Sequence, residues 1–191
     1  AGITLREILE IIVPSGWFLP VTPGTSFVTL GGAIASDVHG KNHHMAGAFG
    51  QHVKSLGMLL GTGEVVTTSP QHHADLFHAT CGGMGLTGII ISATIQLLPI
   101  KSSLISQKTI KADCIEEACE VFEINSDATY SVAWIDCLSK GKSLGRSVIM
   151  LGEHASQGGL DIDIRQKVSV PFSTPSALLN SLTVKAFNAA Y

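Results

Sequence analysis

The sequence predicts an α+β fold in two parts that meet near residue 100. Three observations lead to this prediction. A capped helix opens the chain, glycine-rich turns and a β-branched stretch at residues 89–98 follow, and beyond Pro99 the patterns run strand, helix, strand, strand. That last order is typical of a helix packed on an antiparallel sheet. We therefore expect one domain over residues 1–100 and a second over residues 101–191.

Helix-capping patterns define the first elements. Thr4 and Glu7 form a capping-box pattern ahead of an apolar stripe, which predicts a helix that ends before Pro14. Thr29 is a suitable N-cap for a helix over residues 31–38.

Turn and capping residues delimit the elements that follow. Gly61-Thr62-Gly63 predicts a β-hairpin, Ser69-Pro70 predicts the start of a helix, and Asp113 with Glu116 repeats the capping-box pattern. Residues 155–180 have the composition of a loop. The remaining expected elements are strand 17–21, hairpin strands 53–60 and 64–68, helix 71–80, buried strand 89–98, strand 103–111, helix 113–125, strands 130–136 and 146–153, and a weakly apolar segment 177–190.

Composition excludes several classes of function. The 191 residues are 45% hydrophobic and 14% charged, whereas a typical soluble domain is about 25% charged. The formal net charge is −3 and no basic stripe is present, so nucleic-acid binding is not expected. No apolar run reaches the roughly 18–20 residues that a membrane span needs. The low charge indicates that a cofactor, another segment or a partner covers much of the surface.

The cysteines and the N-terminal sequence indicate a reducing compartment. The four cysteines, Cys81, Cys114, Cys119 and Cys137, contain no C-x-x-C pair, and we interpret them as reduced thiols. The first residues contain charges and have no signal-peptide pattern. We expect a cytoplasmic protein.

The most informative stretch is residues 21–44, VTPGTSFVTLGGAIASDVHGKNHH. Glycines let the backbone approach a ligand closely, and free N–H groups at a helix start suit phosphate oxygens. His39 lies beside Gly40, where it could bond a ligand or act as an acid or base; the alternative is a histidine paired with a carbonyl at a helix terminus. Lys41 and Asn42 could orient hydroxyl or carbonyl oxygens, or could simply form a solvated turn.

A second glycine cluster matches G-x-G-x-x-G at Gly83, Gly85 and Gly88. The dinucleotide fingerprint must follow a strand and open a helix. Here a predicted helix precedes the cluster and a strand follows it, so we reject a Rossmann site. We expect a helix-to-strand turn that needs positive φ, which is also compatible with a loop against a cofactor ring.

The eight histidines do not predict a metal site. His43–His44 and His72–His73 are adjacent pairs whose side chains should diverge, and no metal-ligand spacing is present. His72, His73 and His78 are expected on a solvated helix surface. A catalytic Ser-His-Asp arrangement is not supported either, because no G-x-S-x-G elbow occurs.

These motifs together resemble the FAD-binding (PCMH-type) domain of vanillyl-alcohol-oxidase-type flavoenzymes, and within that family the FAD-linked sugar or alcohol oxidoreductases. The resemblance is strong over residues 17–100 and weaker over residues 101–154, where 131–136 resembles a strand of the family's substrate domain. It is carried, in order, by Pro23-Gly24-Thr25, Val28–Ala35, His39-Gly40-Lys41-Asn42, Phe49-Gly50, Leu76-Phe77, Gly82-Gly83 and Gly85–Ile90.

The resemblance implies FAD as cofactor and a site built from three groups of residues. Gly24, Thr25, Thr29, Leu30, Gly31 and Gly32 would hold its diphosphate. Residues His39, Gly40, Lys41 and Asn42 would line the flavin side, with His39 and Lys41 as the catalytic pair, and Ile90 would pack on the cofactor. The reaction implied is oxidation of a secondary alcohol of a sugar-like substrate by hydride transfer to flavin. No metal is implied.

The resemblance also implies that the chain is a fragment. It corresponds to the second subdomain of the FAD-binding domain followed by part of an α+β substrate (cap) domain, with an N-terminal glycine-rich subdomain expected before Ala1. Its partners would be a small alcohol or sugar, the remaining segments of its own parent chain and further copies in a homo-oligomer. The alternative is a catalytically inactive fragment that acts only as a folding or self-associating module.

Overall fold

The computed structural model describes residues 1–162 and 180–190. The chain divides into two compact units. The first unit comprises residues 1–106 and 153–162, and the second comprises residues 107–152 and 180–190.

Both units contain helices and strands. Short 3₁₀ turns occur at Val13–Ser15, Phe49–His52 and Gly141–Ser143. The elements up to residue 100 are α1 (Leu5–Ile12), β1 (Trp17–Phe18), α2 (Leu30–Ala35), α3 (His43–Ala46), β2 (Val53–Leu59), β3 (Val65–Thr68), α4 (Ala74–Thr80), β4 (Ile89–Ile95) and β5 (Leu98–Pro99). The later elements are β6 (Ile105–Ala112), α5 (Ile115–Ile124), β7 (Tyr130–Ile135), β8 (Ser147–His154) and α6 (Ser181–Ala190).

Three small sheets organise these elements. Strand β2 lies between β3 and β4 and is antiparallel to both, while β1 pairs with β5. In the third sheet the order is β6-β8-β7, and β7 runs antiparallel to β8. The mixed helices and antiparallel strands confirm the predicted α+β class.

Each unit has its own hydrophobic core. In the first unit, Ile34 of α2 is buried with Leu56 and Met58 of β2 and with Phe49. In the second unit, Ala118 of α5 packs with Ile149 of β8 and its neighbours. Burial of such side chains contributes about 1.5–3 kcal/mol each, and these two clusters fix α2 and α5 against their sheets.

Local capping chemistry determines the first helix as the sequence predicts. The Thr4 hydroxyl accepts a hydrogen bond from the Glu7 amide at 3.2 Å, and the Glu7 carboxylate accepts one from the Thr4 amide at 2.8 Å. This reciprocal pair satisfies two amides that the helix itself cannot bond. The predicted capping box and first helix are confirmed.

The start of α4 differs from the prediction. The Ser69 hydroxyl accepts hydrogen bonds from the amides of Gln71 and His72, so it closes a turn and does not cap a helix. His73 then adopts a left-handed φ of +51°. A helix cannot run through that conformation, and α4 therefore begins at Ala74, three residues later than expected.

Strand β4 is not the buried strand that its β-branched composition predicts. Ile89 and Ile91 remain 64% and 44% exposed. Within the described chain, β4 is an edge strand that pairs only with β2, and no described segment packs closely over the face that carries these two side chains.

The remaining boundary differences are small. Helix α5 is capped at Cys114, and it is Glu117, not Glu116, whose carboxylate accepts the Asp113 amide at 2.6 Å. The first strand is shorter than expected at Trp17–Phe18. The expected loop over 155–180 falls largely outside the described residues, and the expected apolar segment 177–190 contains α6.

Candidate cofactor site

Helix α2 supplies one wall of the candidate site. The Thr29 hydroxyl caps it by accepting the Gly32 amide at 3.1 Å, as the sequence predicts. Two further amides at this helix start are bonded to the beginning of the chain: Leu30 donates to the Ile3 carbonyl at 2.8 Å and Gly31 to the Ala1 carbonyl at 2.9 Å. The expectation of free N–H groups here is wrong for these three residues. Residues 1–4 lie antiparallel beside Leu30 and Gly31 and accept their amides, and the Thr29 hydroxyl accepts that of Gly32.

A groove of about 610 Å³ opens beside this helix start. Its walls consist mostly of glycines and small or apolar side chains. The lining residues are Ala1, Gly2, Thr29, Gly31, Gly32, Ala35, Ser36, Met84, Gly85, Gly88, Ile89 and Ile90. Thr29, Gly31, Gly32 and Ile90 are the predicted site residues that the structure brings together here.

The second glycine cluster forms the facing wall. The amides of Gly82 and Met84 donate to the carbonyls of Ile34 and Ala35 at the end of α2, at 3.0 and 2.8 Å. These bonds satisfy helix-end carbonyls and hold the 81–88 loop against α2. The loop joins α4 to β4, which confirms the predicted helix-to-strand turn and excludes the Rossmann arrangement.

Two glycines of this loop are required by their surroundings. A Cβ on Gly83 would clash with the Ala79 carbonyl oxygen. Gly88 has φ +144°, and a Cβ there would lie 2.7 Å from the Leu59 carbonyl oxygen. Gly85 also has a positive φ, of +79°. Glycine adopts both conformations without steric cost, and at Gly88 it lets the loop lie close to Leu59 of β2.

Residues 39–42 do not line the groove; they pack against residues 20–22 of the same unit. The Asn42 side chain is only 4% exposed and its amide donates to the Pro20 carbonyl at 2.7 Å. A Cβ on Gly40 would lie 2.6 Å from the Thr22 carbonyl oxygen. This packing fixes the backbone on either side of Lys41.

His39 and Lys41 are both exposed on this segment. The backbone of His39 forms an antiparallel bridge with Ala48, and its ring stands edge-on to that of His43 with the centroids 5.2 Å apart. An exposed imidazole and an exposed amine two residues apart are free to meet a ligand that approaches this surface.

Three other predicted residues also lie outside the groove lining. Leu30 is 6% exposed and belongs to the hydrophobic core. Gly24 is exposed, and the Thr25 hydroxyl accepts the Phe27 amide at 3.3 Å within its own turn.

Sequence reasoning missed Asp37, which joins three segments behind the groove. Its carboxylate accepts a hydrogen bond from the Gly50 amide at 2.7 Å. A Cβ added to Gly82 would lie 3.3 Å from the Asp37 Cβ, so Asp37 also lies against the 81–88 loop. Burial, and then the charge of Asp37, raise the pKa of the neighbouring Cys81 thiol to about 11. The signal that could have found Asp37 is its place between a capped helix and His39-Gly40.

Within residues 1–162 and 180–190, no group of three or more metal-ligating side chains comes together. The expectation that paired histidines diverge is wrong at His72 and His73, whose ring centroids lie 4.2 Å apart. All four cysteines are unpaired. No helix in the described ranges is long and apolar enough to cross a membrane.

Comparison with known proteins identifies the class of the fold. Residues 1–69 match the FAD binding domain family. The glycine-lined groove fits such a cofactor, since the absence of side chains on its glycines leaves room for phosphate groups and the apolar side chains of Met84, Ile89 and Ile90 suit a flat ring.

Two relatives match nearly the whole chain. Decaprenylphosphoryl-beta-D-ribose oxidase of Mycolicibacterium smegmatis is 40% identical over 195 residues, which cover 96% of this chain and 42% of the relative. An uncharacterized protein in the mprA 5' region of Streptomyces coelicolor is 34% identical, over 95% of this chain and 51% of its own length. The human Delta(24)-sterol reductase is 28% identical over 99 residues, 52% of this chain and 19% of the reductase.

The chain belongs to the FAD-linked oxidases with a PCMH-type FAD binding domain, and the cofactor indicated is FAD. The match covers nearly all of this chain, which spans about half the length, or less, of these two relatives.

Proposed function

We propose that the protein is an FAD-dependent oxidoreductase that oxidises a secondary alcohol of a sugar-like substrate. The observation that carries this proposal is the groove in which the capped start of α2 faces the glycine loop, within a chain whose first residues match an FAD binding domain. The similarity to an enzyme named decaprenylphosphoryl-beta-D-ribose oxidase supports a sugar-like substrate.

Three parts of the groove would hold the cofactor. Thr29, Gly31 and Gly32 would lie along the diphosphate, and Ile90 would pack on the ring system. Gly24, Thr25 and Leu30 remain predicted contacts. FAD, when bound, supplies the two-electron acceptor that no amino-acid side chain provides.

The exposed pair His39 and Lys41 would act on the substrate. A neutral imidazole at position 39 can accept the hydroxyl proton as the alcohol is oxidised, and the Lys41 ammonium can donate a hydrogen bond to the same oxygen. In this proposal Gly40 and Asn42 hold the pair in place, because the Asn42 amide is anchored to Pro20.

The test is FAD binding by Gly31→Val compared with Gly61→Val. A Cβ on Gly31 would lie 3.2 Å from Ala1 Cβ beside the groove, whereas a Cβ on Gly61, in the β2–β3 turn, meets nothing within 4 Å. We expect Gly31→Val to weaken FAD binding, measured by flavin fluorescence quenching, by about tenfold or more, and Gly61→Val to leave it unchanged. Equal affinities in the two variants would contradict the placement, and thermal denaturation of both shows whether folding is preserved.

A non-catalytic, self-associating module is the second candidate. It is favoured by the exposure of Leu86 at 91% and Met84 at 70%, since large exposed apolar patches mark interaction surfaces. Light scattering that shows a monomer, together with FAD binding, would exclude this candidate. Concentration-dependent association without FAD binding would support it over the enzyme.

A further inference from the structure

Two exposed histidines of the first unit, His39 and His43, lie side by side. Their rings stand edge-on to each other with the centroids 5.2 Å apart. Imidazole is a preferred ligand of zinc and of the neighbouring divalent transition metals. We propose that this pair binds one such ion, with Zn²⁺ as the best fit, and that water completes its coordination.

The distance between the two rings agrees with tetrahedral coordination. Zinc lies about 2.0–2.1 Å from a histidine nitrogen and spaces its ligands tetrahedrally, which places the centroids of two bound imidazoles about 5 Å apart. The observed separation of 5.2 Å meets this requirement. The torsion that rotates an imidazole ring is broad, so each exposed ring can turn a nitrogen toward a shared ion.

The other close pair of histidines has a different geometry. The ring centroids of His72 and His73 lie 4.2 Å apart. This separation would close the angle between two zinc–nitrogen bonds to about 80°, well below the tetrahedral angle. His39 and His43 are therefore the better zinc ligands of the two pairs.

Hydrogen bonds fix the backbone that carries both ligands. His39 forms an antiparallel bridge with Ala48. The His43 amide donates to the Gly40 carbonyl at 3.2 Å, and the His43 carbonyl accepts from the Gly47 amide at 2.9 Å. Ligands whose backbone is held in place before binding lose less conformational entropy when the ion arrives.

The site has two protein ligands and is open to solvent. Among the residues that the structure describes, no third histidine, cysteine or carboxylate joins the pair to form a metal cluster. Lys41, exposed on the same segment, carries a positive charge that opposes a bound cation. A tetrahedral ion here therefore keeps water at its remaining positions, and we expect reversible binding that a chelator removes.

An ion at this site would also affect the proposed reaction. A neutral imidazole has one nitrogen with a free lone pair, and a metal bound there prevents that nitrogen from accepting a proton. Zinc would therefore compete with the proposed role of His39 as proton acceptor. This consequence rests on the proposed function, whereas the metal site itself does not.

The test is titration calorimetry with ZnCl₂ in buffer without added FAD. The protein carries His72→Asn and His73→Asn, which remove the second histidine pair, and asparagine tolerates the left-handed φ of +51° at position 73. Its thiols are alkylated with iodoacetamide beforehand, so that they cannot bind zinc. We expect saturable binding of one Zn²⁺ per chain, and Co²⁺ in its place should give the intense visible absorption of a tetrahedral ion.

A matched pair of histidine variants locates the ion. His43→Ala removes one of the two protein ligands and should weaken Zn²⁺ binding about tenfold or more. His44→Ala changes the adjacent exposed histidine, which lies outside the pair, and should leave the affinity unchanged. Thermal denaturation of both variants shows whether folding is preserved.

The remaining outcomes each overturn the proposal. Absence of saturable Zn²⁺ binding would mean that the pair is too weak a ligand set. An unchanged affinity in His43→Ala would place the ion elsewhere, and equal losses in the two variants would mean that no particular pair holds it. Equal binding of Mg²⁺ would indicate oxygen ligands instead of imidazoles. Because no FAD is present, failure here leaves the proposed FAD-dependent function untouched, and failure of the FAD test leaves the metal site untouched.

Discussion

The Asp37 carboxylate accepts a hydrogen bond from the Gly50 amide at 2.7 Å, and it does so from a left-handed backbone with φ +41°. A non-glycine residue in this conformation carries strain that its surroundings must offset. The hydrogen bond from Gly50 offsets this strain, and it connects the end of α2 to the turn that leads into β2. This hydrogen bond therefore holds α2, which forms one wall of the groove, in a fixed position relative to β2.

We expect Asp37→Ala to destabilise the protein by about 2 kcal/mol, since it removes a hydrogen bond to a charged acceptor and leaves alanine in a left-handed conformation. The measurement is urea denaturation. Asp37→Asn is the matched control: asparagine tolerates this conformation and its Oδ1 can accept the same bond, so it should lose less than about 1 kcal/mol. Equal losses would mean that the charge, not the geometry, stabilises this corner.

Cys81 should be alkylated more slowly than Cys119 and Cys137. Burial first, and the Asp37 charge second, raise its pKa to about 11, so little thiolate exists near neutral pH. At pH 8 we expect iodoacetamide to alkylate the exposed Cys119 and Cys137 well before Cys81. Mass spectrometry of peptides from timed samples measures this order.

The pH dependence provides a second check on Cys81. Its alkylation rate in the native protein should rise steeply between about pH 9 and about pH 11. Because the folded pKa is raised, the native state favours the protonated thiol, and this contribution to stability is lost as pH rises through the same range. Asp37→Asn should move the rate profile to lower pH. A Cys81 rate equal to that of Cys119 at pH 8 would contradict the burial argument.

The elements that sequence predicts correctly are those fixed by short-range chemistry. Thr4 with Glu7, and Thr29 with Gly32, are caps whose donors and acceptors lie three residues apart. The β2–β3 hairpin likewise follows from its own turn. Such patterns are complete within a few residues, so they can be recognised without knowing the rest of the fold.

The groove could be predicted only in part, because its walls come from distant segments. Gly31 and Gly32 were identifiable from their own motif, but the amide of Gly31 is bonded to Ala1, thirty positions earlier, and no local pattern predicts that contact. The exposure of Ile89 has the same cause: the composition of residues 89–98 indicates a buried strand, while burial of Ile89 depends on which distant segment packs over that face of the sheet.

His39 should matter for catalysis far more than for stability if it accepts the substrate proton. We expect His39→Ala to slow substrate-dependent flavin reduction by about a hundredfold or more, with little change in Tm because the side chain is exposed. His44→Ala, at another exposed histidine of the same segment, is the control and should retain the rate. Stopped-flow absorbance of flavin and thermal denaturation measure the two effects, and parallel losses of rate and Tm would indicate a structural histidine.

Asp136 should make the protein sensitive to acid. The Ser139 hydroxyl above all, with the Leu138 amide, Arg146 and Asn188, holds the pKa of this carboxyl well below its ordinary value of 3.8. A depressed folded pKa means that the stabilisation is present above that ordinary value and is lost as pH falls below it.

Asp136→Asn keeps the shape of the side chain without the charge, so its stability should fall less than that of the native protein between pH 5 and strongly acidic solution. Urea denaturation at a series of pH values compares the two, and Asp127→Asn, at an exposed aspartate of the same unit, should follow the native curve. If Asp136→Asn gave a curve parallel to the native one, the carboxylate would not be held ionised by its partners. In that case the Arg146 and Asn188 contacts would have to stabilise α6 without help from the charge of Asp136.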